Sequence, residues 1–123
     1  MTGPAPISSN RRLAGLCLIA TGVMGMALWP HPPVVALLAS DAAQHGVAFA
    51  VLTVAARLCW PAARWPGLFV ALAGFGLTIE ILQGLVPTGR NPELTDWSVD
   101  CAATGAMLLA MGLVQRVRRL FGY

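Results

Sequence analysis

Residues 66–86 read PGLFVALAGFGLTIEILQGLV, a run whose one ionisable side chain is Glu80. A bilayer's hydrocarbon core is ~30 Å thick and takes roughly 17–25 mostly apolar residues of helix to cross, so this run is long enough to span. Pro66 falls in its first turn, where a missing N–H is harmless, and Pro87 and Gly89 follow its end. Glu80 stands six residues before Val86, which puts it ~9 Å inside the helix end. An ionisable group at bilayer depth costs about 2.5–3.5 kcal/mol on insertion scales, so it must turn inward and find partners.

Three more runs read the same way. Residues 13–29 are uncharged and stop at Pro30-His31-Pro32-Pro33. Residues 42–58 carry no charge until Arg57 but include Gln44 and His45, and residues 97–115 run into Arg116. The whole chain has 123 residues, 57% apolar and 11% charged, with mean hydropathy +0.71. Soluble domains average roughly 25% charged residues, and a chain this short leaves much of its surface exposed. An ordinary soluble globule, a disordered chain and a nucleic-acid binder are therefore excluded. The expected fold is all-α, a four-helix transmembrane bundle with up-down topology. Gly15, Gly22, Gly25, Gly74, Gly76, Gly105 and Gly112 fall inside the spans, where small residues suit close helix packing. Residues 1–10 read as a flexible cytoplasmic tail, 11–119 as one membrane domain and 120–123 as a cytoplasmic end. A cleaved signal peptide over the first run is the weaker reading, since no small-x-small site precedes Trp29-Pro30.

The arginines orient the bundle. Lys and Arg concentrate at the cytoplasmic ends of spans. All eight basic residues are Arg, and with both termini inside, Arg11, Arg12, Arg57, Arg64, Arg116, Arg118 and Arg119 lie inside, leaving Arg90 outside. The acids take the opposite side: Asp41, Glu80, Glu93, Asp96 and Asp100, with both histidines, fall on the outer half. Cys17, Cys59 and Cys101 form no CxxC pair and are odd in number, so they read as small packing residues rather than a disulfide framework.

Part of the polar pattern is ordinary capping. Asp41 precedes the second run with Gln44 three residues on, an N-cap and its reciprocal partner, and Asp96 stands just before the fourth run in the same way. His45 is one turn below Asp41, Asp100 is one turn below Asp96, and Gln83 shares a face with Glu80. Because runs two and four start outside and run three ends outside, Asp41, His45, Glu80, Gln83, Asp96 and Asp100 are expected to meet in the outer leaflet, with Arg90 as the available cation. Several carboxylates facing one Arg and one His cannot all stay ionised in a low dielectric: one holds a proton or the site binds a cation. A structural polar knot tying the helices together is the competing reading.

These residues carry a resemblance. Asp41-x3-His45-x3-Phe49 resembles the first motif of the VanZ-like membrane protein family. Glu80-x2-Gln83, Arg90 and Asp96-x3-Asp100-x4-Gly105 resemble its longer second motif, so the likeness covers residues 35–112 in order and spacing. Two positions depart from the family pattern. Ala42 stands where Lys is frequent, which removes a cation from the outer mouth, and Asp100 stands where Asn is usual, which adds a carboxylate. The resemblance implies a bacterial inner-membrane protein. The family's namesake is associated with low-level teicoplanin resistance, which makes a role in antibiotic resistance one expectation.

Three functions compete. The first is binding of an envelope-side ligand, a lipid-linked cell-wall precursor or a glycopeptide antibiotic moiety, with Arg90 holding its phosphate or carboxylate. The second is an intramembrane enzyme in which His45, Glu80, Asp96 and Asp100 act as acid and base or hold a metal. No HExxH, serine elbow or phosphate loop is present, so the enzyme is the weaker expectation. The third is a proton-coupled carrier, for which the inner half offers no relay residues. The primary reading expects no cofactor and no metal, with membrane lipid as partner and an oligomeric state that the sequence leaves open.

Overall fold

In a computed structural model, which describes residues 6, 8–29, 40–87, 89 and 91–122 (the side chain of residue 41 excepted), the chain folds into four helices. They are α1 (Ser9–Leu28), α2 (Asp41–Cys59), α3 (Trp65–Leu85) and α4 (Leu94–Leu120), with no strand among the described residues. All four are long and apolar enough to cross a membrane. The Pro30–Pro33 stop and most of the N-terminal tail lie outside the described residues.

The helix ends follow local chemistry. Ser8 caps α1 by accepting from the Arg11 amide at 3.4 Å, so helix begins at Ser9, inside the stretch expected to be tail. Ser40 caps α2 by accepting from the Ala43 amide at 3.1 Å. Asp41 is therefore the first helical residue and not the expected cap: the serine one position earlier has a shorter side chain that reaches the third amide. α3 starts at Trp65 with Pro66 in its first turn, and ends where Val86 turns extended before Pro87. Gly89, at φ +77°, supplies the left-handed turn of the α3–α4 connection. α4 begins three residues before the expected start, because the Glu93 carbonyl already accepts from the Asp96 amide at 3.1 Å. It then continues through Arg116, Arg118 and Arg119, residues that favour helix and complement the C-terminal end of the helix dipole.

The topology is up-down. Arg12 at the start of α1 donates through Nη1 to the Leu58 carbonyl at the end of α2 (3.0 Å), and Gln83 near the end of α3 donates to the Ala27 carbonyl at the end of α1 (2.8 Å). α4 packs against α2 and α3, while α1 lies against α2 and α3 and buries only Ala27. The core is thin, with Phe49, Leu52 and Ile79 fully enclosed and Leu68, Leu72 and Leu108 around them. Leu18, Val70, Leu85 and Leu109 face outward, an arrangement lipid tolerates because its tails are as apolar as leucine.

Two packing expectations change. Gly15, Gly22, Gly25, Gly74 and Gly112 meet nothing within 4 Å of an added Cβ, whereas Gly76 is a point of close approach. Cys17 faces outward rather than into the bundle, and Cys59 and Cys101 are half-buried free thiols.

Candidate functional site

The polar cluster forms at the end of the bundle opposite the described arginines. α2 brings His45 from its second turn, α3 brings Glu80 from its last turns, and α4 brings Asp96 and Asp100 from its first two. His45 and Asp100 make the central contact, Nδ1 to Oδ1 at 2.7 Å, and Asp100 is wholly buried. An ionised carboxylate can only accept, so against ionised Asp100 the Nδ1–H is the donor and Nε2 faces away from this contact. That Nε2 lies 3.7 Å from Asp96 Oδ2, beyond hydrogen-bond reach. Asp96 is the third residue of α4 and buried; the cap expected of it falls to Glu93 instead, and its side chain turns into the bundle.

Glu80 points the same way. Its Oε2 accepts from the Glu93 amide at 2.8 Å, which ties the start of α4 to the last turns of α3. One ligand atom each from His45, Glu80 and Asp100 fall within 4.8 Å of one another, making these three the group that could hold a metal ion. Gln83 is buried at the same end but is tied to α1 through Ala27, so it braces the helices rather than joining the carboxylates. Asp41 begins α2, its side chain outside the description, and Arg90 lies outside the described residues altogether.

Four buried oxygens at this end, Glu80 Oε1, Gln83 Oε1, Asp100 Oδ2 and Thr104 Oγ1, have no hydrogen-bond partner among the described residues. A buried polar atom left without a partner costs roughly 1–3 kcal/mol, so these atoms mark unused binding capacity. His45 also lines a groove of about 350 Å³ between α1, α2 and α3, walled by Ile19, Val23, Ala27, Ala48, Phe49 and Ile79. The groove is apolar except where His45 and Gln44 enter it.

Three contributors were not read from the sequence. Trp97 donates its indole Nε1–H to the Ala73 carbonyl at 2.9 Å and locks α4 to α3 beside the cluster. Gly76 lets Asp100 approach α3, since a Cβ there would stand 2.9 Å from Asp100 Oδ2. Thr104, fully buried one turn below Asp100, extends the polar line on α4. The i+4 series Asp96, Asp100, Thr104 was the signal available for the last of these.

Compared with protein-family models, curated proteins and solved structures, the chain matches none of them.

Proposed function

We propose that the chain is a small VanZ-like protein of the bacterial inner membrane, with both termini cytoplasmic, that binds an envelope-side amphipathic ligand at the outer end of its bundle. The observation that carries this reading is the junction of two surfaces at His45. One side of that residue belongs to the buried carboxylate cluster, and the other opens on the apolar groove of about 350 Å³. This volume is at the lower end of the range for small-molecule sites, about 300–1,000 Å³, which are mostly apolar with a few convergent polar groups. A lipid-linked cell-wall precursor, or a glycopeptide moiety bearing amine and lipid parts, has the matching composition. Its hydroxyl or amine groups meet Glu80, Asp96 and Asp100, its chain lies in the groove, and Arg90 takes its phosphate or carboxylate.

The orientation is supported by the arginines at the other end. Arg12 reaches the end of α2, and the Arg57 Nη1 donates to the Ala63 carbonyl of the α2–α3 connection at 2.6 Å. Excess Arg at one end marks the cytoplasmic side, which leaves the cluster facing the envelope. The test is photo-crosslinking of membranes with a photoactivatable lipid-phosphate probe. Labelling should fall in Arg90→Ala and in His45→Ala; unchanged labelling in Arg90→Ala removes the anion-holding role.

A second reading is favoured by one contact. The His45–Asp100 pair orients the imidazole through Nδ1 and leaves Nε2 turned away from Asp100, the arrangement of a general acid–base in an intramembrane enzyme. Turnover of a lipid-linked substrate that disappears in both His45→Gln and Asp100→Ala would establish it.

A further inference from the structure

We propose that His45, Glu80 and Asp100 form a binding site for one divalent cation of the Zn²⁺ or Mn²⁺ class. Three side chains from three different helices each place a ligand atom within 4.8 Å of the other two. One imidazole nitrogen with carboxylate oxygens is a mixed ligand set of the kind that first-row divalent ions accept.

Two further observations point to a ligand. Asp100 Oδ2 and Glu80 Oε1 are shut off from solvent and have no hydrogen-bond partner among the described residues, although both residues are more than nine-tenths buried. Asp100 Oδ2 also lies against Gly76, one turn from Glu80 on α3. His45 Nδ1 and Asp100 Oδ1 stand 2.7 Å apart, a spacing that lets both reach one ion at about 2.0–2.2 Å each, with the ion in place of the ring proton. Asp96 faces the other edge of the ring, its Oδ2 3.7 Å from His45 Nε2, and stands outside the set of three ligands.

Charge completes the argument. Glu80, Asp96 and Asp100 are buried around a single imidazole, and the described arginines sit at the far end of the bundle. Uncompensated charge at bilayer depth is expensive, and a dication neutralises two carboxylates at once while filling both open oxygens. The inference uses the same cluster as the proposed ligand site but needs no lipid. Metal binding can fail while photolabelling succeeds, and the reverse.

The experiment takes the full chain, purified in detergent and stripped with EDTA, then titrated with Mn²⁺ or Zn²⁺. Bound metal is counted after gel filtration, and thermal unfolding is followed with and without the ion. Wild-type protein should hold about one equivalent and unfold at a higher temperature when loaded. Glu80→Gln and Asp100→Asn, near-isosteres that keep the packing, should each weaken binding by about tenfold or more. Glu93→Gln should bind as wild type does. Wild-type protein that takes up no ion and gains no stability overturns the proposal, because the cluster is then neutralised by protons or by Arg90. Uptake that Glu80→Gln and Asp100→Asn both leave unchanged overturns it as well, because the ion then sits elsewhere. Melting curves of the ion-free variants show that each is folded before its binding is compared.

Discussion

Replacing Gly76 with Ala sets two terms of known size against each other at the centre of the site. The new methyl would lie 2.9 Å from Asp100 Oδ2, 3.3 Å from Phe49 Cζ and 3.3 Å from Trp97 Cδ1. None of these neighbours is free to retreat. Asp100 is held to His45 at 2.7 Å, Phe49 is fully buried against Phe75 with ring centroids 6.1 Å apart, and Trp97 is tied to Ala73 at 2.9 Å. Relieving the contact needs a shift of about 0.5 Å, a displacement that already forfeits a quarter or more of a dispersion well. Overpacking of this kind costs about 1–3 kcal/mol, and disturbing a hydrogen bond to a charged group adds to that. Against it stands a helix-propensity gain of about 1 kcal/mol for Gly to Ala. The net expectation is a loss of about 1–2 kcal/mol, the difference between those terms with part of the hydrogen bond retained. Gly74→Ala is the internal control: it lies on the same helix, its added methyl meets nothing within 4 Å, and the propensity term acts alone. Reversible SDS unfolding in mixed micelles, followed by far-UV circular dichroism, measures both variants. Gly76→Ala as stable as Gly74→Ala would refute the reasoning, since the two differ only in the neighbours described.

Three other outcomes are expected. Trp97→Phe removes the indole donor to the Ala73 carbonyl and should cost about 0.5–1.5 kcal/mol in the same unfolding assay; a neutral result would mean that bond contributes nothing to the α3–α4 contact. Gln83→Leu cuts the bond to Ala27, the end of a helix that buries little else, so hydrogen exchange should rise in the C-terminal turns of α1 and stay unchanged in α4. His45→Leu and Asp100→Leu should each destabilise by about 3–5 kcal/mol, because each strands a buried partner, while the double variant loses less than the sum; strict additivity would show that the 2.7 Å contact is not an energetic pair.

The fold was legible because its signal is redundant. Each span is an apolar run bounded by proline, glycine or arginine, and bilayer thickness fixes how long a run must be. The ends moved by a few residues where a cap decided them. Ser40 displaced Asp41 as the α2 cap, and the Glu93 carbonyl started α4 before Asp96. The cluster was legible in part, because the depth of Glu80 and the i+4 pairing of Asp96 with Asp100 force those side chains inward. What the sequence withheld was rotation. A helix whose apolar residues run around all its faces, as in α3, does not say which of Gly74 and Gly76 meets a neighbour, and only the packed bundle decides it. Gln83 shares a helix face with Glu80, yet its amide goes to α1, because an orphaned carbonyl at the end of that helix is the stronger claimant.

A structural knot and a binding site differ in what they leave unmade. In lipid, polar contacts between helices are a source of association that apolar ones cannot replace, so a buried His–Asp pair by itself is consistent with glue. Glue, however, gains nothing from a donor or acceptor without a partner, and a half-satisfied buried network is worse than an apolar one. At the arginine end of the bundle the Nη1 bonds close on nearby backbone, as Arg12 does on Leu58 and Arg57 on Ala63, and Arg57 Nε is the one buried side-chain atom there without a partner among the described residues. At the other end Glu80, Gln83, Asp100 and Thr104 each keep one buried oxygen open among the described residues, and three of them adjoin or follow the His45–Asp100 contact on α3 and α4. The groove that begins at His45 runs from that same end along the apolar faces of α1 and α2. An unfinished hydrogen-bond network beside an apolar groove is costly for the protein alone and becomes favourable once a further partner completes it.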